Sequence, residues 1–242
     1  MERKDFLKSS IGLLSLSAAI EACKKDINQT AITSVNEADA TTTGGCIVTP
    51  DEVEGPFPYP SGERRNPLNR SDVRENQKGV LLTLIFTVVN TNNACAPVPG
   101  ARVDIWHCNN DGYYSGYINE GYLGTKNSTG QTWLRGYQLA DNNGRVRFTT
   151  TYPGWYKGRA THIHFEVFIN RALRKIGQIA FPEETNNEIY ATRFYRAHGP
   201  NPKKNMDDGV LGNSPTDLAN ETVQITKRPG SIQANYTIGL AL

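Results

Sequence analysis

Val80-Leu81-Leu82-Thr83-Leu84-Ile85-Phe86-Thr87-Val88-Val89 is dominated by β-branched, aromatic and aliphatic residues. Such side chains fit a pleated, half-buried surface, so the run predicts a strand. A turn cluster, Asn90 to Asn93, and then Pro97-Val98-Pro99-Gly100 close it off. Next, Arg102-Val103-Asp104-Ile105-Trp106 alternates polar and apolar residues, as a strand with one buried face does. Asp141-Asn142-Asn143-Gly144 signals a turn, and Arg145-Val146-Arg147-Phe148 alternates again. Residues 161–169, 176–181, 222–226 and 232–238 read as further short strands, and Pro182 to His198 leaves room for one short helix. No internal repeat is visible. Short strands separated by Gly, Pro and Asn turns predict an all-β chain, a single antiparallel β-sandwich domain with long loops at its site.

Composition narrows the chemistry. The chain has 242 residues, 38% of them apolar and 21% charged, which excludes disordered and fibrous classes. Lys plus Arg number 26 and Asp plus Glu 24, so the net charge is +2, and no nucleic-acid partner is expected. No glycine-rich loop follows a strand, which argues against nucleotide chemistry. Four cysteines without a CxxC pair predict neither a disulfide-dense scaffold nor a zinc ribbon.

The first residues read as an address. A basic start around Arg3-Lys4 is followed by an apolar run from Ile11 to Ile20, too short to span a bilayer and the length of a signal core. Ile20-Glu21-Ala22-Cys23 resembles the lipobox of bacterial lipoproteins, and Arg3-Lys4-Asp5-Phe6-Leu7-Lys8 resembles a relaxed twin-arginine signal. Residues 24–45 are small and polar, hence a tether. The expected organisation is an export signal over 1–22, a lipidated Cys23 with a flexible tether over 23–45, and one folded domain over 46–242. The expected location is the bacterial cell envelope, with a lipid on Cys23 holding the protein to the membrane.

Within the predicted strand 161–169 lies His162-Ile163-His164. Side chains at i and i+2 of a strand share a face, so the two imidazoles stand side by side and Ile163 points to the opposite face. An HxH pair alone is a modest signal, equally compatible with two half-exposed sheet histidines. Its neighbours sharpen it. Tyr156 lies a short turn before His162, and Tyr113 and Tyr114 follow the turn Asn109-Asn110-Asp111-Gly112. Imidazole suits many transition metals, whereas phenolate is a hard anionic donor. A free phenol has a pKa near ~10, so only a strong Lewis acid ionises it at neutral pH. A His and Tyr set therefore favours ferric iron over zinc, which prefers Cys, His and carboxylate.

Several segments together carry a family resemblance. Val103-Asp104-Ile105-Trp106-His107-Cys108-Asn109 with Gly112-Tyr113-Tyr114-Ser115 resembles the first tyrosine motif of intradiol ring-cleavage dioxygenases. Phe148-Thr149-Thr150-Thr151-Tyr152-Pro153-Gly154-Trp155-Tyr156 with Arg159-Ala160-Thr161-His162-Ile163-His164 resembles the second half of the same domain. Thr132-Trp133-Leu134-Arg135-Gly136 is similar to the linking segment, and Thr49 to Pro56 to the leading one. The resemblance covers roughly Cys46 to Leu240 and is closest to the protocatechuate-type catalytic domain.

The resemblance implies Fe(III) as cofactor, with Tyr114, Tyr156, His162 and His164 as metal ligands. It implies catalytic roles for Tyr156, as a base that leaves the metal, for Arg159 beside the substrate, and for Gln178. The implied partners are a small aromatic ortho-diphenol and O2, which are converted to a muconate-type diacid; a homo-oligomer is compatible with it. Tyr113 is then a neighbour, His107 a structural histidine, and Trp106 and Trp155 packing residues. A zinc or copper enzyme using the HxH pair with a carboxylate, and an exported β-sandwich binding module, are the rival readings. Cys95 and Cys108 bracket one strand and are too far apart to bridge. With the leading segment expected near the site, Cys46–Cys108 is the expected disulfide.

Overall fold

The computed structural model describes residues 47–121 and 123–242. The expected export signal, Cys23, the tether and Cys46 lie outside the described residues. Among the described residues the strands are β1 (Leu81–Asn90), β2 (Ala96–Pro97), β3 (Arg102–Trp106), β4 (Ile118–Gly121), β5 (Gly124–Asn127), β6 (Arg135–Leu139), β7 (Arg145–Thr151), β8 (His162–Ile169), β9 (Ala172–Ala180), β10 (Gln224–Arg228) and β11 (Ser231–Leu240). Two short helices, α1 (Glu183–Tyr190) and α2 (Pro215–Glu221), follow β9. Ser214 caps α2 by accepting from the Asp217 N–H, with Pro215 at the first helical position.

The run that opened the sequence reading is the centre of the larger sheet. β11 pairs with β1 along its whole length, and β10 continues beyond β11. The opposite edge of β1 takes β7 over Leu81–Thr87 and β2 at Val89–Asn90. The second sheet has the order β6-β3-β8-β9, and β4-β5 is a separate hairpin.

Among the described strands, the expected antiparallel pairing has one exception. The chain is mostly strand, but its pairing is not wholly antiparallel, because β1 and β11 run parallel from Leu81↔Ser231 to Asn90↔Leu240. Alternation along a strand fixes which face is buried and not which way its neighbour runs. The long connection between β1 and β11 supplies the crossover that a parallel pair requires.

The inward side chains of both sheets meet in one apolar cluster. Leu82, Leu84, Phe86 and Val88 of β1 are buried at every second position. They share the cluster with Ile163, Phe165 and Val167 of β8, and the Phe86 and Phe165 rings stand 5.5 Å apart. β8 is buried on its other face too, where His162, His164 and Glu166 lie. That outer face is closed by the segment leading into β1. Glu52 N–H donates to Ile176 O, and Lys175 Nζ donates to Thr49 O and Asp51. A buried ion pair, Arg135 with Glu63 at 3.8 Å, ties the same segment to β6, and Arg135 also donates to Ser115 Oγ and O.

The cysteines are arranged otherwise than expected. Cys108 is a free, buried thiol, whereas Cys95 is disulfide-bonded, so the Cys46–Cys108 bridge is not made. Cys108 is in the apolar cluster of Trp106 and Tyr114, where burial pushes its thiol up to about 12 and leaves it inert as a nucleophile.

Candidate functional site

Two turns and one strand build the site. The first turn is held by Asn109, whose side-chain oxygen accepts the N–H groups of Asp111 (3.1 Å) and Tyr113 (3.0 Å). Gly112 completes it at φ +86. Asn119 then clamps Tyr114 from both sides, accepting its N–H at 3.1 Å and donating to its carbonyl at 2.8 Å. The second turn, Pro153 to Tyr156, docks backbone to backbone on the first. Gly154 N–H donates to Asn109 O at 3.1 Å. A Cβ on Gly112 would stand 2.2 Å from Trp155 O, and one on Gly154 2.4 Å from Asn109 O. Only glycine permits this approach, so the two glycines set where Tyr114 and Tyr156 sit relative to each other.

Strand β8 presents the imidazoles. His162 Nε2 is 3.0 Å from His164 Nε2, 3.4 Å from Tyr114 Oη and 3.4 Å from Tyr156 Oη. The structure thus brings the four residues together and places Tyr114, not Tyr113, beside the pair. Tyr113 turns away, its hydroxyl donating to Gly124 O and its ring packing with Trp133 and Leu134. His162 Nδ1 lies 2.7 Å from Ala160 O. A carbonyl accepts only, so Nδ1 carries the proton and Nε2 presents a bare lone pair to the cluster. The His164 ring is sandwiched between two neighbours. Trp106 stacks on it at 4.9 Å and 6°, and the backbone of Gly55 lies so close that a Cβ there would be 2.9 Å from its Cε1.

The electrostatics keep every member neutral. Burial, reinforced by the nearby Arg159 charge, pulls His162 down to about 3, and burial with the His162 neighbour holds His164 well below the ordinary imidazole value. Burial pushes Tyr114 up from the ordinary phenol value and Tyr156 up to about 12, with Arg159 opposing the rise at Tyr156. Two unprotonated-capable nitrogens and two phenols that need a strong Lewis acid to ionise form a donor set that fits a trivalent hard cation. Among the described residues no group of three or more His, Cys, Asp and Glu could hold a metal. A zinc or copper site built on the HxH pair therefore lacks its carboxylate among the described residues.

Arg159 and Gln178 are neighbours of this cluster. Gln178 sits opposite His164 in the β8–β9 register and is fully buried. Its Oε1 accepts from Arg159 Nη2 at 2.6 Å, and its Nε2 donates to Val53 O at 2.9 Å. Two residues that the sequence reading did not single out belong here. Phe57 stacks on Tyr114 at 4.7 Å and meets Tyr156 edge-on at 6.2 Å. Asp208 holds Arg159 through Nε at 2.9 Å. Neither has a local pattern; Phe57 follows the Gly55-Pro56 of the leading segment, and Asp208 reads as part of an ordinary Asp-Gly turn.

His107 stands behind the site. Its Nδ1 donates to Cys108 O at 2.8 Å, and its Nε2 accepts from Thr150 Oγ1 at 2.7 Å. Burial above all, with a contribution from Arg135, lowers it to about 4. The unfolded imidazole takes a proton below about pH 6.5 and the folded one only below about 4, so acid favours the unfolded state across that window. His107→Gln is expected to remove up to about 3 kcal/mol of the stability change between pH 7 and pH 4. Urea midpoints of both proteins at the two pH values measure it; equal slopes would contradict a buried neutral His107.

A family model described as Dioxygenase matches residues 53–191. A catechol 1,2-dioxygenase from a Pseudomonas species is 34% identical over 120 residues, 50% of this chain and 35% of that protein. A catechol 1,2-dioxygenase from Acinetobacter baylyi is 30% identical over 166 residues, 60% of this chain and 51% of that protein. The chain thus spans about half or less of the length of these curated relatives. Among solved structures, an intradiol ring-cleavage dioxygenase from Tetranychus urticae superposes with a TM-score of 0.71 at 28% identity, over 81% of this chain and 95% of that one.

Proposed function

The chain belongs to the intradiol ring-cleavage dioxygenase family, and from that membership we propose that it uses Fe(III) and O2 to cleave a catechol-type aromatic between its two hydroxyl-bearing carbons, giving a muconate-type diacid. The observation that carries this reading is the convergence of Tyr114 Oη, Tyr156 Oη and His164 Nε2 on the bare Nε2 of His162. Tyr114, Tyr156, His162 and His164 would hold the iron. When bound, ferric iron supplies Lewis acidity and a template for the two diphenol oxygens.

The chain's own residues do the rest. Tyr114 is 1% exposed and clamped by Asn119, so it stays in place. Tyr156 is only partly buried and belongs to a turn, so that, once ionised by the metal, its phenolate Oη can leave and take a proton from a substrate hydroxyl. Arg159 lies beside Tyr156 with its guanidinium plane already set by Asp208 and Gln178. A fixed cation in a partly dry site stabilises negative charge that develops on the ring without reorganising. Phe57 and Trp106 wall the site with aromatic surface, which suits a planar substrate and limits water.

The shared apolar cluster of the two sheets supports a two-layer sandwich as the scaffold. The sequence features of residues 1–45 support export and a lipid on Cys23; a Cys23→Ser variant recovered in the soluble fraction would bear this out, and one still in the membrane fraction would count against it.

The purified protein is expected to contain equimolar iron and to be red-brown from tyrosinate-to-iron charge transfer. Oxygen uptake against a panel of ortho-diphenols names the substrate. In Tyr156→Phe the visible band is expected to shift and weaken. An iron-loaded protein without colour, or a Tyr156→Phe spectrum identical to the parent, would overturn the ligand set.

A further inference from the structure

One carboxylate behind the site has no part in the family resemblance. Asp208 is 2% exposed and follows the short turn Asn205–Asp207. Its Oδ2 accepts from Arg159 Nε at 2.9 Å and from the Ala160 N–H at 2.6 Å. Its Oδ1 accepts from the N–H groups of Val210 at 2.8 Å and Leu211 at 3.1 Å, with a longer contact of 3.2 Å to Arg159 Nε. A buried carboxylate with its lone pairs filled in this way is rigid, since moving it would strand several donors at once. Arg159 sets one further bond, Nη2 to Gln178, and Asn201 Nδ2 holds the Arg159 carbonyl at 3.0 Å.

Ala160 links this anchor to the imidazoles. Its N–H is held by Asp208, and its carbonyl takes the Nδ1 proton of His162. We infer that Asp208 is a positioning residue that fixes two things together: the plane of the Arg159 guanidinium and the Ala160 carbonyl that selects the Nδ1–H tautomer of His162. The inference rests on the proposed iron site for its consequence in catalysis, while the tautomer itself is a property of the metal-free chain. A neutral imidazole carries one proton, so the nitrogen that donates to the carbonyl dictates which nitrogen keeps a lone pair. A carbonyl free to rotate away would let the proton move to Nε2, the atom that faces Tyr114, Tyr156 and His164. Aspartate is required because both oxygens accept, Oδ2 from Arg159 and Ala160 and Oδ1 from Val210 and Leu211; either way round, the NH2 of an asparagine would face one of these pairs of donors.

The test uses the full chain, 15N-labelled and metal-free, with long-range nitrogen–proton correlation of the histidine rings. The parent is expected to show His162 as the Nδ1–H tautomer. Asp208→Asn is expected to mix in the Nε2–H form, to lower iron affinity about 10–100-fold, and to lower kcat more than it changes KM. A parent spectrum with His162 protonated at Nε2 overturns the inference with no variant needed. A variant that melts earlier but keeps the parent tautomer and iron affinity also overturns it, because Asp208 is then structural only. A tautomer that depends on Asp208 in a protein that takes up no iron and consumes no O2 supports the positioning and overturns the functional reading instead.

Discussion

Arg159→Ala is expected to lower kcat about 10²–10³-fold, the loss seen when one preorganised charge-stabilising donor is removed. The guanidinium is partly buried, at 15% exposure, so its charge is little screened at the reacting centre. Its orientation is fixed through two different nitrogens, Nε on Asp208 and Nη2 on Gln178, at 2.9 and 2.6 Å. Lysine carries a single ammonium and cannot hold both partners while facing Tyr156, so Arg159→Lys is expected to lose most of the same activity. Removing the cation also withdraws the influence that opposes the rise of the Tyr156 phenol. The acid limb of the kcat profile is therefore expected to move towards higher pH in Arg159→Ala. Steady-state oxygen uptake across pH, at saturating diphenol, measures both effects. A kcat within about threefold of the parent would remove Arg159 from the catalytic set.

The second large effect is on stability. Gly112→Ala is expected to cost about 3 kcal/mol or more. The left-handed backbone at φ +86 penalises a side chain by about 1–2 kcal/mol, and forced overpacking adds about 1–3 kcal/mol. The overlap is with backbone, since the new Cβ would stand 2.2 Å from Trp155 O. Relief requires the two tyrosine turns to part, which displaces Tyr114 and Tyr156 from each other and should shift the visible band of the iron form. Gly158 is the control. It also lies at positive φ, +92, but a Cβ there meets open space. Gly158→Ala is expected to lose only the backbone share. Denaturant unfolding of both variants separates the two contributions, and equal losses would show that the contact with Trp155 is not limiting.

Much of the fold was legible where periodicity is local. β3 and β7 stand where alternation placed them, β1 and β8 where β-rich runs did, and α1 falls within the stretch left for a helix. The hairpin β4–β5 was not read, because Gly124 to Asn127 is polar and exposed at every position and has no buried face to leave a pattern. β8 carried the HxH pair on one face and Ile163, Phe165 and Val167 on the other, so its apolar face was plain. That its histidine face is buried too was not, because the covering segment comes from residues far away in sequence. The site divides in the same way. His162 and His164 share a face by the geometry of any strand, and Tyr114 and Tyr156 were placed by their turns and the family resemblance. Asp208 was invisible, being 49 residues from Arg159 with no motif of its own. The cysteine expectation failed for a related reason, since strand length excluded Cys95 from Cys108 correctly but could not say which of them faces the core.

By itself, the sequence determined the all-β class, the shared face of the imidazoles, the glycine turns beneath the tyrosines and the kind of donor gathered there. These are local properties, set by side-chain period and backbone sterics within a few residues. Only the tertiary structure decided the parallel pairing of β1 with β11, the free state of Cys108, the closure of the leading segment over His164, and the Asp208 carboxylate that holds Arg159 and Ala160. Each depends on groups distant in the chain meeting in space, where burial, directional hydrogen bonds and the neutralisation of charge select one arrangement among many that the same local patterns would allow.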